Sequence, residues 1–542
     1  MKARFGAGIL LALLITLARL GDPLFAQVKS SAITGTVTDQ SGAVLSGAKV
    51  TVTEQSTNTI TATQTNGQGQ YTVPYLPIGN YTLEVVASGF RTYRRTDISL
   101  GGAVTARQDV SMAVGNTTQS VEVEATALAI QTENATVSNA ISHETIQNLP
   151  NINGNSLYYA TLESGVIGTP QQLTSTNLGI GYRDRRDMSG MRINGGQLGS
   201  NDVTLDGISV QGAAWHETAV LPNPDALEEV RVTTNNFTAD IGLAQGIVSQ
   251  TTKGGTNNYH GDLQFMMRNE ALNANSFGNN HQGIRRPTYR LLQGGGAVGG
   301  PVSIPHLYSG KDKLFFFVSF LRLTHSDAVT LLTTVPTALE RQGNFSQTLV
   351  KEKNGQAVPV HIYNPYSVTQ LSSTLYQRAQ YPNAIITNPN QYGLKILQGY
   401  PMPNATPQDV FNTNNYRFTG SQPEDRNSLN SRVDYKPTSN QSIYFTAGFS
   451  KGSQISPNQW GTAANGPWVY QTGQIGNTSD LNPYGAIGDT IMLNPTTVID
   501  VRALWHNPHQ HSVADTTGEG RPIRIRHACF RGSHISSPRQ SA

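Results

Sequence analysis

The chain has 542 residues, and Lys+Arg (38) and Asp+Glu (35) nearly cancel, leaving a formal charge of +3. Charged residues are 13% of the total against roughly 25% in an average soluble domain, while 53 glycines and 8% aromatics suit strands joined by turns. This composition excludes a coiled coil, a highly charged disordered chain and a general electrostatic case for nucleic-acid binding; the single cysteine, Cys529, excludes a disulfide framework or a cysteine-based zinc site.

The first segment reads as an export signal. Lys2 and Arg4 precede an apolar run over Phe5–Ala18, and Leu24-Phe25-Ala26 offers a cleavage site that leaves Gln27 first. Leu24 departs from the usual small residue, and Arg19 interrupts the run; the alternative is an uncleaved anchor. No later stretch reaches the roughly 18 apolar residues of a membrane helix, but strands of about 10 alternating residues can still cross a membrane.

Residues 29–114 carry short strand-like runs at Ala32–Thr38, Lys49–Glu54, Thr59–Thr65, Gln70–Val73, Gly79–Ala87 and Arg107–Met112. Turn signals separate them at Ser41-Gly42, Asn66-Gly67, Pro77-Ile78-Gly79 and Ser88-Gly89. This spacing predicts a β-sandwich, with Tyr81, Leu83 and Val85 on one buried face. Ile33-Thr34-Gly35-Thr36-Val37-Thr38-Asp39, Ser46-Gly47-Ala48-Lys49-Val50, Thr65-Asn66-Gly67-Gln68-Gly69-Gln70-Tyr71 and Leu76-Pro77-Ile78-Gly79-Asn80-Tyr81, closed by Ser88-Gly89-Phe90, resemble the carboxypeptidase-regulatory-like domain. The resemblance implies a transthyretin-like sandwich without peptidase chemistry.

Residues 115–255 open with the alternating segment Ser120-Val121-Glu122-Val123-Glu124-Ala125. A helix is expected at Ser142–Asn148, with Ser142 as N-cap and Leu149-Pro150-Asn151 as its stop. Strands follow at Met191–Asn194, Asp202–Leu205, Glu229–Thr234 and Ile247–Thr252. In order, Ile146-Gln147-Asn148-Leu149-Pro150 with Ser164-Gly165-Val166, Arg192-Ile193-Asn194-Gly195-Gly196 with Thr204-Leu205-Asp206-Gly207-Ile208, Ala226-Leu227-Glu228-Glu229-Val230-Arg231-Val232 with Ala239-Asp240-Ile241-Gly242, and Thr251-Thr252-Lys253-Gly254-Gly255-Thr256-Asn257 resemble the plug of a TonB-dependent outer-membrane receptor. The second pair resembles the plug's central strand pair.

Residues 256–518 alternate like membrane strands. Tyr259, Gly261, Leu263, Phe265 and Met267 share one face; Ile443, Phe445, Ala447 and Phe449 share another, as do Ile499, Val501, Ala503 and Trp505 opposite Asp500 and Arg502. Asn430, Arg432 and Asp434 form a polar face. A soluble sandwich alternates identically; the signal and the plug resemblance favour a barrel. The segment Gln342–Asn415 reads as a long extracellular loop. Gln293-Gly294-Gly295-Gly296-Ala297-Val298-Gly299-Gly300-Pro301, Lys311-Asp312-Lys313-Leu314-Phe315-Phe316-Phe317, Val335-Pro336-Thr337, Arg341-Gln342-Gly343-Asn344-Phe345-Ser346 and Arg432-Val433-Asp434-Tyr435 resemble the Oar-like branch of these receptors. The family resemblance thus implies an all-β dominated chain: a transthyretin-like sandwich, an α+β plug and a partial transmembrane antiparallel β-barrel. Its expected divisions are 1–26, 29–114, 115–255, 256–518 and 519–542.

Plugged transporters have 22 strands, needing roughly 220 residues before any loop, so a complete barrel is not expected here. Residues 519–542 change character: Arg521, Arg524, Arg526 and Arg531 are crowded together, and the chain ends Gln540-Ser541-Ala542. A truncated or frameshifted reading frame is expected, the alternative being a genuine basic tail.

Other patterns give bland readings. Gly294–Gly299 matches a dinucleotide fingerprint by letter, but Gly300-Pro301 follows where a helix should begin, so a strand or turn is expected. His506, His509 and His511 read as a solvated loop rather than a metal site, and Arg183-Asp184-Arg185-Arg186-Asp187 as a solvated plug loop. No catalytic residue, cofactor or metal is expected, and no enzyme activity.

The receptor resemblance implies transport. Ser120, Val121, Glu122, Val123, Glu124 and Ala125 resemble a TonB box, which pairs by strand addition with a TonB-like periplasmic energy-coupling protein; the alternative is an ordinary plug or linker strand. Outer-membrane lipid is the second partner, and the ligand is an oligosaccharide, a peptide or a chelate. A second function from another class is a surface adhesion or carbohydrate-binding protein, with the sandwich as its working part.

Overall fold

A computed structural model describes residues 31–115, 120–124, 136–151, 154–168, 191–197, 200–211, 218, 220–235, 245–281, 283–457, 476–494, 497–507 and 509–513. The expected signal, Ala125, the 183–187 charge run, Ala239–Gly242 and the Arg-rich tail lie outside these residues. The described chain forms two compact units, divided at Val52/Thr53, Thr61/Ala62, Val137/Ser138, Thr234/Asn235 and Ala244/Gln245.

The first unit is built on nine strands: β1 (Ser31–Asp39), β2 (Lys49–Glu54), β3 (Ile60–Gln64), β4 (Gln70–Leu76), β5 (Gly79–Val86), β6 (Thr92–Leu100), β7 (Thr105–Arg107), β8 (Val110–Met112) and β9 (Ser120–Glu124). One sheet has the order β4-β1-β7, with β8 also on β1; the other runs β3-β2-β5-β6-β9. Period-two alternation puts Ile33, Val37, Val50, Val52, Val73, Leu83 and Val85 into one apolar core. Tyr81 joins them, and its hydroxyl donates to the Pro77 carbonyl oxygen at 2.7 Å. Tyr81→Phe is expected to lower sandwich stability by about 1 kcal/mol, read as a shift in the urea midpoint; no shift would remove the bond from the account.

The expected strand at Arg107–Met112 is divided. Gly35 lies so close to Gln108 that an added Cβ would sit 1.9 Å from its carbonyl oxygen. That oxygen also accepts the Tyr71 hydroxyl at 2.7 Å, and Asp109 Oδ1 accepts the Thr36 amide at 2.8 Å. The chain therefore crosses β1 there by side-chain and turn contacts rather than by a continuous ladder.

The second unit begins with a mixed segment. Its strands are β10 (Val137–Ser142), β11 (Val166–Gly168), β12 (Met191–Ile193), β13 (Asp202–Leu205), β14 (Ile208–Ser209), β15 (Leu227–Asn235) and β16 (Ile247–Thr252). Helix α1 (His143–Asn148) is capped by Ser142, whose hydroxyl accepts from the Thr145 amide at 3.4 Å, and it stops at extended Leu149, as the sequence predicts. The main sheet is ordered β10-β15-β16-β13-β14. The expected central pair is not a pair: β12 is bonded to β11, whereas β13 lies between β16 and β14. Ile146, Tyr159, Val203, Leu205, Leu227, Val230 and Val248 form this segment's core.

The remaining strands are β17 (His260–Asn269), β18 (Tyr289–Pro301), β19 (Ser303–Ile304), β20 (Tyr308–Ser309), β21 (Leu314–Thr333), β22 (Leu349–Lys351), β23 (Ala357–Pro359), β24 (Tyr363–Gln370), β25 (Tyr376–Gln380), β26 (Tyr416–Thr438), β27 (Gln441–Ser456), β28 (Gly476–Asn494), β29 (Thr497–His506) and β30 (His509–Val513). Helices α2 (Phe277–His281) and α3 (Gln391–Gln398) lie between them. An antiparallel meander runs β17-β18-β21-β26-β27-β28-β29, and β30 returns to β28 beyond the end of β29. Leu263 (94% exposed), Phe265 (71%), Val501 (61%) and Trp505 (58%) face outward, whereas Asn430 and Thr446 are buried on the other face. An apolar exterior opposite a polar interior is the pattern of a membrane barrel wall.

Three expectations change in detail. Gly294–Gly299 lies inside β18, bonded on both sides, so it is strand rather than turn or phosphate loop. His506, His509 and His511 are not in a loop: the first ends β29 and the others pair with β28. Gln342–Asn415 is not structureless but holds the hairpins β22/β23 and β24/β25 and helix α3, since so long a connection needs local structure of its own. Its base is closed by Asn415, whose side chain accepts from the Val335 amide at 2.8 Å and donates to the Val335 carbonyl at 2.9 Å.

Candidate functional site: a polar latch between plug and barrel

Asp206 and Gly207 form a two-residue turn. Thr204 pairs with Ser209 and Leu205 with Ile208, and both turn residues have positive φ (50° and 82°). That is the hairpin geometry Asp-Gly favours, because its twist matches the flanking strands. The turn presents both the Asp206 carboxylate and its carbonyl oxygen.

The carboxylate accepts the Thr252 amide at 2.9 Å and the Thr252 hydroxyl at 2.8 Å. It also accepts Arg432 Nη1 at 3.2 Å. The same guanidinium grips Asp434 through Nε and Nη2 at 2.8–3.0 Å, donates to the Thr252 hydroxyl at 2.8 Å, and lies 4.8 Å from the centre of the Tyr444 ring. The Asp206 carbonyl accepts Arg502 Nη1 at 2.9 Å and the Tyr444 hydroxyl at 3.3 Å. One plug turn is thus held by inward side chains of β26, β27 and β29. The φ of 82° at Gly207 is one that side-chain-bearing residues rarely adopt, and an added Cβ would also push on Arg502 Nη1, 2.0 Å away. Arg suits this place because its planar fork satisfies two carboxylates at once.

Other polar contacts involve the barrel strands. The Tyr484 hydroxyl donates to Asn430 Oδ1 at 2.7 Å, and the Ser319 hydroxyl donates to Asn223 Oδ1 at 3.1 Å. Gln264 donates to the Asp225 carboxylate. Burial and the nearby charge of Asp262 push Asp225 up to about 6.

His143 follows β10 and joins three parts of the plug. Lys253 Nζ is 2.7 Å from His143 Nε2, and His143 Nδ1 is 2.8 Å from the Leu227 carbonyl oxygen. An ammonium only donates, so Nε2 accepts and the ring proton sits on Nδ1. Burial first, and the Lys253 charge second, hold His143 below its usual range; burial likewise lowers Lys253.

These two groups give opposite pH slopes. The raised pKa of Asp225 imposes a cost in stability, which is nil below about 3.8 and grows to its full size above about 6. A lowered His143 costs stability only as pH falls below the ordinary imidazole value of about 6.5. Asp225→Asn should therefore stabilise plug docking at pH 7 by on the order of 2 kcal/mol, and should leave stability that rises with pH through 6. Denaturant midpoints at pH 5, 6 and 7 test this; a variant with the parental slope refutes it.

Of the residues singled out in the sequence, Ser120–Glu124 form β9, and Ala125 is outside the described residues. The strand lies parallel to β6, from Thr92↔Ser120 to Thr96↔Glu124. Among the described residues no cluster of three His, Cys, Asp or Glu could hold a metal, and no helix is long and apolar enough to cross a membrane. Sequence reasoning placed Arg432 and Arg502 on polar strand faces and Asp206 in a plug motif but did not join them. The available signal was an Asp-Gly turn at a plug strand together with inward arginines on separate barrel strands.

Residues 251–525 match the family described as outer membrane beta barrel domain, and residues 32–113 match the carboxypeptidase regulatory-like domain. The chain is 26% identical over 318 residues to the TonB-dependent transporter Oar of Myxococcus xanthus, covering 58% of this chain and 29% of that protein. It spans under a third of that relative's length. Among solved structures it overlaps the outer-membrane transporter YddB of Escherichia coli (11% identity, 70% of this chain and 40% of that one, TM-score 0.39). It also overlaps the ferric enterobactin receptor of Pseudomonas aeruginosa (12% identity, 69% and 41%, TM-score 0.37). The match over residues 251–525 shows that the chain belongs to the family described as outer membrane beta barrel domain, here with an N-terminal carboxypeptidase regulatory-like domain and with similarity to the TonB-dependent transporter Oar of Myxococcus xanthus.

Proposed function

We propose that this chain serves energised uptake of a large nutrient (an oligosaccharide, a peptide or a chelate) across the outer membrane, after export by a leader cleaved behind Ala26. A TonB-like coupling protein pairs with Ser120–Ala125 and pulls. Among the described residues the next strand beyond that segment is β10, which leads directly into His143. Tension on β10 reaches the contacts of His143 with Leu227 and Lys253, and the plug rearranges to let the ligand pass.

The observation that carries this reading is the chemistry of the latch. Asp206 is tied to the barrel strands by hydrogen bonds and ion pairs rather than by interlocked apolar side chains. Water can replace such bonds at little net cost, which is what a part that must leave its seat requires. The name of the Myxococcus relative supports transport.

Deleting Val121–Ala125 in cells making the whole protein is expected to abolish energised uptake of labelled oligosaccharide, peptide and ferric-chelate probes while sparing their binding. Uptake at the undeleted rate would overturn the assignment.

A further inference from the structure

The segment assigned to the coupling partner already belongs to a sheet. β9 forms the end of the order β3-β2-β5-β6-β9, so the edge of β6 holds it in parallel register. The register follows a chemical pattern across three strands. Glu84 of β5 pairs with Arg94 of β6, and Arg94 pairs with Glu122 of β9, giving an acid-base-acid row. The next row is Val85, Tyr93 and Val121, which is apolar throughout. Val85 and Tyr93 are buried while Arg94 is exposed. Slipping β9 by one residue would place Glu122 in the apolar row and Val121 or Val123 beside Arg94. Charge and hydrophobicity therefore select one docked register.

We propose that the β6 edge of the sandwich is a dock for the coupling segment, and that the coupling protein must displace β9 from it to bind. This rests on the assignment of Ser120–Ala125 to that partner. Strand addition uses main-chain donors and acceptors, and the β9 groups facing β6 are already committed. Only the undocked fraction offers both edges of the segment, so apparent affinity falls by that fraction. The dock is weak by construction. It is short and parallel, a pairing slightly less stable per residue than antiparallel, and Arg94 of its charged row is exposed, where salt screens it. A weak dock sets a threshold without blocking engagement.

Two changes made in the full chain test this with the periplasmic domain of a TonB-type coupling protein as the probe. Arg94→Glu opposes Glu84 and Glu122 with like charge and should tighten binding about 3- to 10-fold, with the gain shrinking at high salt. Thr92→Cys with Ser120→Cys, in a Cys529→Ser background, should lose binding when oxidised and regain it on reduction. Unchanged or tighter binding by the oxidised pair would overturn the proposal, because the partner would then add to a segment still seated on β6. If the probe binds no form, the coupling assignment fails, and hydrogen exchange decides the dock by itself. Deleting Val121–Ala125 should speed exchange at the amides of Thr92–Thr96 that face β9. Unchanged protection there would show that β6 docks nothing.

Discussion

Replacing Asp206 by alanine is expected to weaken plug docking by about 3 kcal/mol, since it breaks a buried charge pair from one side. The carboxylate is 8% exposed as part of its residue and meets the Thr252 amide, the Thr252 hydroxyl and Arg432 together. Alanine removes all of these partners. Arg432 keeps Asp434, which holds the loss near the lower end for a broken buried pair. The Thr252 amide is left with no acceptor in an enclosed place, a further cost. Hydrogen exchange in β13, β14 and β16 should accelerate about 100-fold. Asp206→Asn keeps an acceptor for Thr252 and loses only the charge, so its effect should be markedly smaller. Equal exchange rates in wild type and Asp206→Ala would show that the latch bears no load.

Gly255→Ala should be strongly damaging to the chain's second unit. A Cβ there would stand 2.4 Å from the Phe316 carbonyl oxygen, 2.8 Å from the Gly300 carbonyl oxygen and 2.8 Å from the Phe316 amide nitrogen. All three are backbone atoms, and Gly300 pairs with Phe316 within the β18/β21 ladder. Neither strand can give way without parting the other. The cost is expected at the upper end of overpacking, about 3 kcal/mol. Gly254 provides the internal control, because its Cβ would first meet the Asp434 side chain at 2.9 Å, which can shift. The fraction of folded, protease-resistant barrel should fall far more for Gly255→Ala than for Gly254→Ala. The reverse order would refute the argument.

Where a strand obeys one period from end to end, its sequence spelled it out. Lys49–Glu54, Asp202–Leu205 and Ile247–Thr252 have the same bounds in sequence and structure; the first two bury alternate residues throughout, and the third does so from Val248 onward. β6 shows why others escaped. Tyr93, Ile98 and Leu100 all point to the core, yet Tyr93 and Ile98 are five residues apart. Opposite them, Tyr81 pairs with Ile98 and Leu83 with Arg95, so one extra residue falls within β6, and Asp97 there has φ 58°. A bulge resets the phase, and a fixed-period reading of Thr-Tyr-Arg-Arg-Thr-Asp then finds only charge. The latch was hidden for a different reason. Its members Asp206, Thr252, Arg432, Tyr444 and Arg502 span nearly 300 positions, and no local pattern announces that one arginine will serve two carboxylates. The coupling segment was legible as an extended alternating run; its seat on β6 was not, since β6 itself had been missed.

The clasp at Asn415 has a consequence for how such a chain can change over generations. One side chain joins both ends of an excursion of 80 residues, so the two barrel strands that flank it, β21 and β26, keep their alignment from Leu314↔Tyr435 to Thr333↔Tyr416 whatever lies above. Lengthening or exchanging the part beyond the clasp adds little closure entropy, because that cost grows only with the logarithm of length. The excursion is a cassette with a fixed socket: its contents can drift, recombine or be replaced while the wall below stays in register.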